Sequence, residues 1–293
     1  MYDLISIGSI TKDTFLLTDR GKIFKTPKDK LAPEWLGFEL GEKICVREIV
    51  ESAGGVATNI SIGTKKLGLK SAPLGPAKPA TSVIIVDQKS GERVIFYEEA
   101  SGRINLSPLK RMKTKWLSVS SLTGNWSRET NIILACLKKN RAKLILAPST
   151  SMIREGYRNL RKLLKNTEII LLNKNEAIEI AANERIESVN VKVLIKLLHR
   201  LGPKIVCITG GRKGAWASLA SESRRASDGK KIYYSPIKKV KTVDVTGAGD
   251  AFASGFLGLY IKGASIEKSL KMGIINSANV VRHIGTTKGL LSK

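Results

Sequence analysis

The residues whose types and spacing suggest chemistry stand together in Val243-Asp244-Val245-Thr246-Gly247-Ala248-Gly249-Asp250-Ala251-Phe252. Gly247 and Gly249 let the backbone turn sharply, and Phe252, Phe256 and Leu259 then recur on one face of a following helix. The unpaired N–H groups of Gly247, Ala248 and Gly249, with the positive end of the helix dipole, would make an anion hole for a phosphoryl group in transit. Asp250, in the first turn, would lie beside that group and could take a proton from an attacking hydroxyl. An ordinary acidic residue opening a helix after a glycine turn gives the same pattern. Other chemistries fail on counting. Gly247-x-Gly249 lacks the third glycine of a dinucleotide fingerprint, because Phe252 stands there, and Gly63 and Gly68 have P-loop separation with Leu69 in place of the lysine. The three cysteines, Cys45, Cys136 and Cys207, are odd in number and far apart, and the two histidines, His199 and His283, are not in H-E-x-x-H spacing. Neither a disulfide framework nor a Cys/His zinc site fits them.

A turn of this kind needs a sheet that ends at it. Short apolar runs at 4–8, 69–74, 116–119, 144–147, 169–172 and 205–209 read as buried strands. Helical spacing of apolar residues over 57–67, 128–139, 157–164, 191–201, 249–261 and 266–281 alternates with them. The pattern predicts an α/β fold with a largely parallel sheet. Segments 14–50 and 83–98 break the rhythm and look antiparallel, the second as a hairpin of 83–86 and 93–96 around Gly91. They fit a small sheet inserted into the core as a lid, or as a structural flap.

Composition bounds the remainder. With 293 residues, 42% hydrophobic, 26% charged, 26 glycines and 9 prolines, the chain suits one large α/β domain or two small ones, not disorder or collagen. The longest weakly polar stretch, 251–261, is shorter than the roughly 18 residues of a membrane span, and the start Met1-Tyr2-Asp3 carries acid where a secretory signal carries base. A cytoplasmic protein without membrane contact is expected. Fifty Lys and Arg against 25 Asp and Glu give a net charge of +25. The bases are spread along the chain, for example over 20–30, 103–115 and 224–231, and aromatic residues are only 5%. A solvated basic surface that attracts anionic substrates is favoured over a nucleic-acid partner, which the charge leaves open.

Asp244 to Phe252 resembles the C-terminal signature of the ribokinase-like (PfkB) carbohydrate kinases. Ala53-Gly54-Gly55-Val56-Ala57-Thr58-Asn59, followed by a helix ending in Leu67-Gly68, is similar to the N-terminal glycine motif of the same family. The resemblance spans essentially the whole chain and implies one domain over 1–293, a three-layer αβα sandwich with a mostly parallel central sheet and a small β lid. It implies ATP-dependent phosphorylation of a hydroxyl on a small sugar, with Mg²⁺, in some members K⁺, and in some a homodimer through the lid. A nucleoside kinase of the same fold, or a catalytically weak relative binding nucleic acid or a partner through its basic surface, are the alternatives.

On this resemblance Asp250 is the base, Asp13 binds substrate hydroxyls, Gly54 and Gly55 let the sugar approach the backbone, and Asn59 hydrogen-bonds it. Read alone, Asp13 is equally a turn residue after the first strand. Asn173-Lys174-Asn175-Glu176 resembles the N-x-x-E motif, which places Glu176 near Mg²⁺ through water, although a strand-to-helix cap gives the same tetrapeptide. Thr209, Gly211 and Gly214 match the loop that meets ATP phosphates, Asn276 an adenine-site position, and Asp244 and Thr246 the monovalent-cation site. The chain departs from the pattern after Leu74, where 75–82 replaces a loop, a helix and a strand; a crossover helix needs about a dozen residues. One core crossover is therefore expected to be missing, which either exposes apolar surface for a partner to cover or marks a degraded copy of poor stability. In Leu146-Ala147-Pro148-Ser149, Ala147 replaces the usual polar residue of a strand-end turn.

Overall fold

The computed structural model describes residues 1–26, 34–98, 104–220 and 231–293. Residues 27–33 of the expected lid, and the bases Arg103 and Arg224, lie outside the described residues. The chain opens with β1 (Tyr2–Ile7), β2 (Thr11–Thr18), β3 (Lys22–Lys25), β4 (Glu34–Gly37), β5 (Glu48–Gly54), α1 (Val56–Lys66), β6 (Ser71–Leu74), β7 (Ala80–Asp87) and β8 (Arg93–Tyr97). It continues with β9 (Thr114–Val119), α2 (Ser127–Asn140), β10 (Lys143–Leu146), α3 (Thr150–Glu155), α4 (Tyr157–Leu164), β11 (Thr167–Asn173), α5 (Lys174–Asn183) and α6 (Val191–Leu201). β12 (Ile205–Thr209), β13 (Ala215–Leu219), β14 (Ile232–Ser235), α7 (Ala248–Tyr260) and α8 (Ile266–Val280) close it.

Eight strands form the large sheet in the order β14-β13-β12-β11-β10-β9-β1-β6. From β6 to β12 the pairings are parallel, whereas β13 and β14 are antiparallel. Strand alternation sends the apolar residues to two cores. Ile5, Ile7, Leu117, Val119, Leu144, Leu146, Ile170 and Leu172 pack with Ile133 of α2, Leu160 of α4 and Leu198 of α6. Leu4, Trp116, Ile145, Ile169, Leu171 and Cys207 face Ile60 of α1, Phe252 and Phe256 of α7, and Leu270 of α8. The result is the expected sheet between two helical layers. β13 and β14 were not legible as strands: Ala-Trp-Ala-Ser-Leu offers mostly small residues to its faces, so its apolar signal is faint.

Helix ends follow their capping chemistry. The Asn190 side chain accepts from Lys192 N at 2.9 Å to open α6, and Gly202, at φ 133°, ends it.

The lid sheet has the order β5-β2-β7-β8. Its pairing corrects the antiparallel expectation in part. β2–β5 and β7–β8 are antiparallel, but β2 and β7 run parallel, with Asp13 opposite Ser82. Phe15, Leu17, Ile84 and Val86 form its core with Val50 and Ile284.

The missing crossover is real: β6 ends at Leu74, β7 begins at Ala80, and β6 is an edge strand. The expected apolar exposure does not follow from it. Leu74 packs against the first core, and the large exposed apolar side chains of the neighbourhood lie on the lid instead, including Ile49, Phe96 and Tyr97. Leu4 N and Gly8 N donate to the carbonyls of Lys70 and Leu74. Even-numbered residues of this edge therefore face β1, and Pro73, which has no N–H, faces outward. An edge without that donor is a poor template for a further strand. Pro73→Val should leave the unfolding free energy within about 1 kcal/mol of wild type. It should raise light scattering at equal protein concentration.

Candidate active site

Parallel strands collect their C-terminal ends at one edge of the sheet, and the chain leaves β1 for β6 on one side and reaches β9 on the other. That reversal opens a crevice beyond the strand ends. A cleft of about 320 Å³ lies there, lined by Ser120 after β9, Pro148 after β10, Asn173, Thr209, Gly249 and Asp250 among others. A larger cavity, about 510 Å³, opens at the opposite ends of the strands near Trp116, Lys143 and Tyr260, and neither a carboxylate nor a glycine turn of the motifs above lines it.

The start of α7 points into the cleft. Gly247 is its N-cap in the left-handed region, φ 76°, and a Cβ there would sit 2.8 Å from Thr286 Cβ, so only glycine fits. At Gly249 a Cβ would meet nothing within 4 Å: this position borders open space. The N–H of Ala248 donates to Val245 O at 3.3 Å, while those of Gly249 and Asp250 have no acceptor among the described residues. Of the three donors expected to form an anion hole, the Ala248 N–H is therefore engaged within the turn.

Asp250 accepts the side-chain N–H of Asn59 at 2.7 Å on Oδ2. Desolvation pushes its carboxyl up to about 6, helped by the neighbouring charge of Asp13 and opposed by the Asn59 hydrogen bond. Asp13 itself is buried on β2, in a strand and not in a turn, with Thr11 Oγ1 donating to it at 2.7 Å. Burial raises its carboxyl too, against the hydrogen bonds of Thr11 and Ser82.

Gly54 and Gly55 stand where β5 passes into α1. A Cβ at Gly54 would collide with the Asp13 carboxylate, and one at Gly55, where φ is 86°, would lie 2.8 Å from Ile10 Cα. The space they leave is taken by Asp13 and Thr11 of β2 at Gly54, and by Ser9 and Ile10 of the β1–β2 connection at Gly55. Asn59 is buried, with its Nδ2 on Asp250 and its Oδ1 accepting from Thr286 Oγ1 at 2.9 Å.

Asn173 and Glu176 form a capping box on α5, Asn173 N donating to Glu176 Oε2 at 2.8 Å and Glu176 N to Asn173 Oδ1 at 2.9 Å. Both line the cleft. Burial pushes Glu176 up to about 7, with the charges of Glu179 and Asp250 adding to it and the Asn173 N–H opposing. Thr209 borders the cleft and its hydroxyl donates to Leu172 O at 3.4 Å. Gly211, at φ 55°, has open space around its missing Cβ; Gly214 does not, since Pro236 Cα lies 3.1 Å from that point, and it shapes the β12–β13 turn.

Asn276 and Asp244 do not line the cleft. Asn276 is fully buried between α7 and α8, donating to Ala251 O at 2.8 Å and Ser254 Oγ at 3.1 Å and accepting from Leu291 N at 2.9 Å, so it ties helices instead of meeting adenine. Asp244 is also fully buried. It accepts from Thr246 N at 2.8 Å, Thr246 Oγ1 at 2.6 Å and Gly285 N at 3.3 Å, and no Lys or Arg pairs with it among the described residues. Ser120 and Thr286 were missed. The strand-end position of Ser120 could have found it; no motif points to Thr286.

The model of the family described as pfkB family carbohydrate kinase matches residues 75–293. The ATP-dependent 6-phosphofructokinase of Thermoanaerobacterium thermosaccharolyticum is 30% identical over 97% of this chain and 89% of its own. Among solved structures, Arabidopsis thaliana ribokinase complexed with ribose and ATP superposes with a TM-score of 0.71 at 17% identity, over 99% of this chain and 96% of that one. The Methanocaldococcus jannaschii nucleoside kinase gives 0.70 at 18%, over 99% and 95%. The last two likenesses establish the ribokinase-like fold.

The two glycine classes should separate by experiment. Gly55→Ala should lower the unfolding free energy by roughly 2 kcal/mol or more, from left-handed strain and backbone collision. Gly249→Ala, open and helical, should hold or raise it by up to about 1 kcal/mol in the same denaturant titration.

Proposed function

Because the chain belongs to the pfkB family of carbohydrate kinases, we propose that it transfers the γ-phosphoryl group of ATP to a hydroxyl of a small sugar, with Asp250 as the base. One observation carries this reading: a carboxylate raised to about 6 stands in the first turn of α7, beside free N–H groups, at the C-terminal ends of the parallel strands. Its free Oδ1 would accept the proton as the acceptor oxygen attacks phosphorus. The γ-phosphate then leaves ADP, and the N–H groups of Gly249 and Asp250 would stabilise the charge on the transferring group. Asp13, buried on β2 and near enough for its charge to act on Asp250, would hold neighbouring hydroxyls of the acceptor. Asn173, Thr209 and Gly211 would border the ATP phosphates, and the lid sheet would exclude water.

Residues for the implied ions fit. Glu176 keeps Oε1 outside its capping box, and no cluster of three metal-binding side chains exists among the described residues. Glu176 would therefore hold Mg²⁺ through water beside the ATP phosphates, where the ion would neutralise phosphate charge. Asp244, buried with neutral donors only, suits a monovalent cation near Thr246, since a buried carboxylate ordinarily has a cationic partner. A nucleoside acceptor is the second reading; the fold likeness to a nucleoside kinase and the diol-binding chemistry of Asp13 support it equally.

ADP release with Mg²⁺-ATP and K⁺ should be measured across ribose, fructose, fructose phosphates, 2-keto-3-deoxygluconate, adenosine and cytidine. One acceptor should turn over. Asp250→Asn should keep the fold and lose about 10²- to 10⁴-fold in kcat; an undiminished rate would remove Asp250 from the role of base. Ionised Asp250 is the active form, so kcat/KM should fall below a pH of about 6, by about tenfold per pH unit.

A further inference from the structure

Asp250 is held from behind by two residues of distant origin. Asn59 Nδ2 donates to its Oδ2 at 2.7 Å, and Thr286 Oγ1, in the turn after α8, donates to Asn59 Oδ1 at 2.9 Å. Asn59 and Thr286 are 3% exposed each, so neither hydroxyl nor amide can exchange these partners freely with water. An amide is nearly symmetric in shape, and its orientation is set by what its two ends meet. An ionised carboxylate can only accept, so Asp250 draws the nitrogen end of Asn59 and leaves Oδ1 to receive the Thr286 hydroxyl, whose other acceptor within reach is Ala53 O at 3.5 Å. Thr286 is itself placed by Gly247, whose missing Cβ leaves room for it, and by Gly285, whose N–H binds Asp244.

From this geometry we infer that Thr286 is a positioning residue for phosphoryl transfer, acting through Asn59 to hold the Asp250 carboxylate ionised and aimed into the cleft. The inference rests on the reading of Asp250 as the base. The charged groups that face Asp250 are Asp13 from β2 and Glu176 from α5, both carboxylates, so the Asn59 donor opposes them. Replacing Thr286 by Val keeps the shape and removes the hydroxyl. Asn59 Oδ1 would then be buried without a donor, and the pair would favour a neutral Asp250 carboxyl that donates to it.

The experiment compares Thr286→Val, Thr286→Ser, Asn59→Ala and the Asn59→Ala/Thr286→Val double variant with the wild type, checking each for wild-type circular dichroism. Asp250 is titrated by carbon NMR of protein labelled at the aspartate carboxyls, with Asp250→Asn assigning the signal. Thr286→Val should raise the Asp250 midpoint by about half a unit to one unit, and Thr286→Ser should restore it. On the acceptor that turns over, Thr286→Val should lower kcat by about 10-fold or more with KM little changed, and move the acid limb upward with the NMR midpoint. In the Asn59→Ala background the Val substitution should add less than about twofold, because its route to Asp250 is gone.

A Thr286→Val protein with the wild-type midpoint would overturn the inference, as would a full additive loss in the double variant. The NMR titration needs no acceptor. A shifted midpoint in a protein that phosphorylates nothing would therefore sustain the hydrogen-bond relay and reject the kinase reading.

Discussion

The hydrogen bond from Asn59 to Asp250, at 2.7 Å, joins the start of α1 to the start of α7. Much of the architecture exists to make that meeting hold. Both helices lie on the same side of the large sheet, with Ile60, Phe252 and Phe256 in one core, and both begin at the edge where the parallel strands end. A carboxylate at that place is desolvated, and desolvation alone would favour its neutral form. The Asn59 donor and the positive end of α7 offset the penalty in part, which leaves Asp250 titrating near the pH range where a base is useful.

The same economy of space explains the glycines. Gly54, Gly55 and Gly247 are each fixed by a protein neighbour that would collide with a Cβ, whereas Gly249 and Gly211 border open space. The first group holds the cleft's walls together; the second leaves its interior clear. Left-handed backbone at Gly55 and Gly247 costs little only because no side chain is present.

The missing crossover leaves β6 at the edge of the large sheet, beside β1 and away from β9 to β12, whose ends border the cleft. The edge it left is short, carries Pro73 outward and keeps Leu74 packed. The large positive charge is likewise peripheral. Nine ion pairs among the described residues engage mostly exposed bases, while the buried carboxylates Asp13 and Asp244 are held by neutral donors and Asn59 and Thr286 link to the Asp250 carboxylate.

By itself the sequence determined what depends on neighbours along the chain. Periods of two and 3.6 residues placed the parallel strands and nearly all the long helices, with 157–164 and 191–201 matching α4 and α6 end to end. The Gly-Ala-Gly-Asp turn marked a helix start, and the short run after Leu74 marked a missing crossover. Tertiary structure decided what depends on partners far apart in the chain. It set β2 parallel to β7, turned Asn59 toward Asp250, moved Asn276 into the α7–α8 packing and brought Thr286 behind the site. Periodicity states which face of an element is apolar, but an amide or hydroxyl on that face takes whichever donor or acceptor packing delivers. That choice is written in no local run of residues.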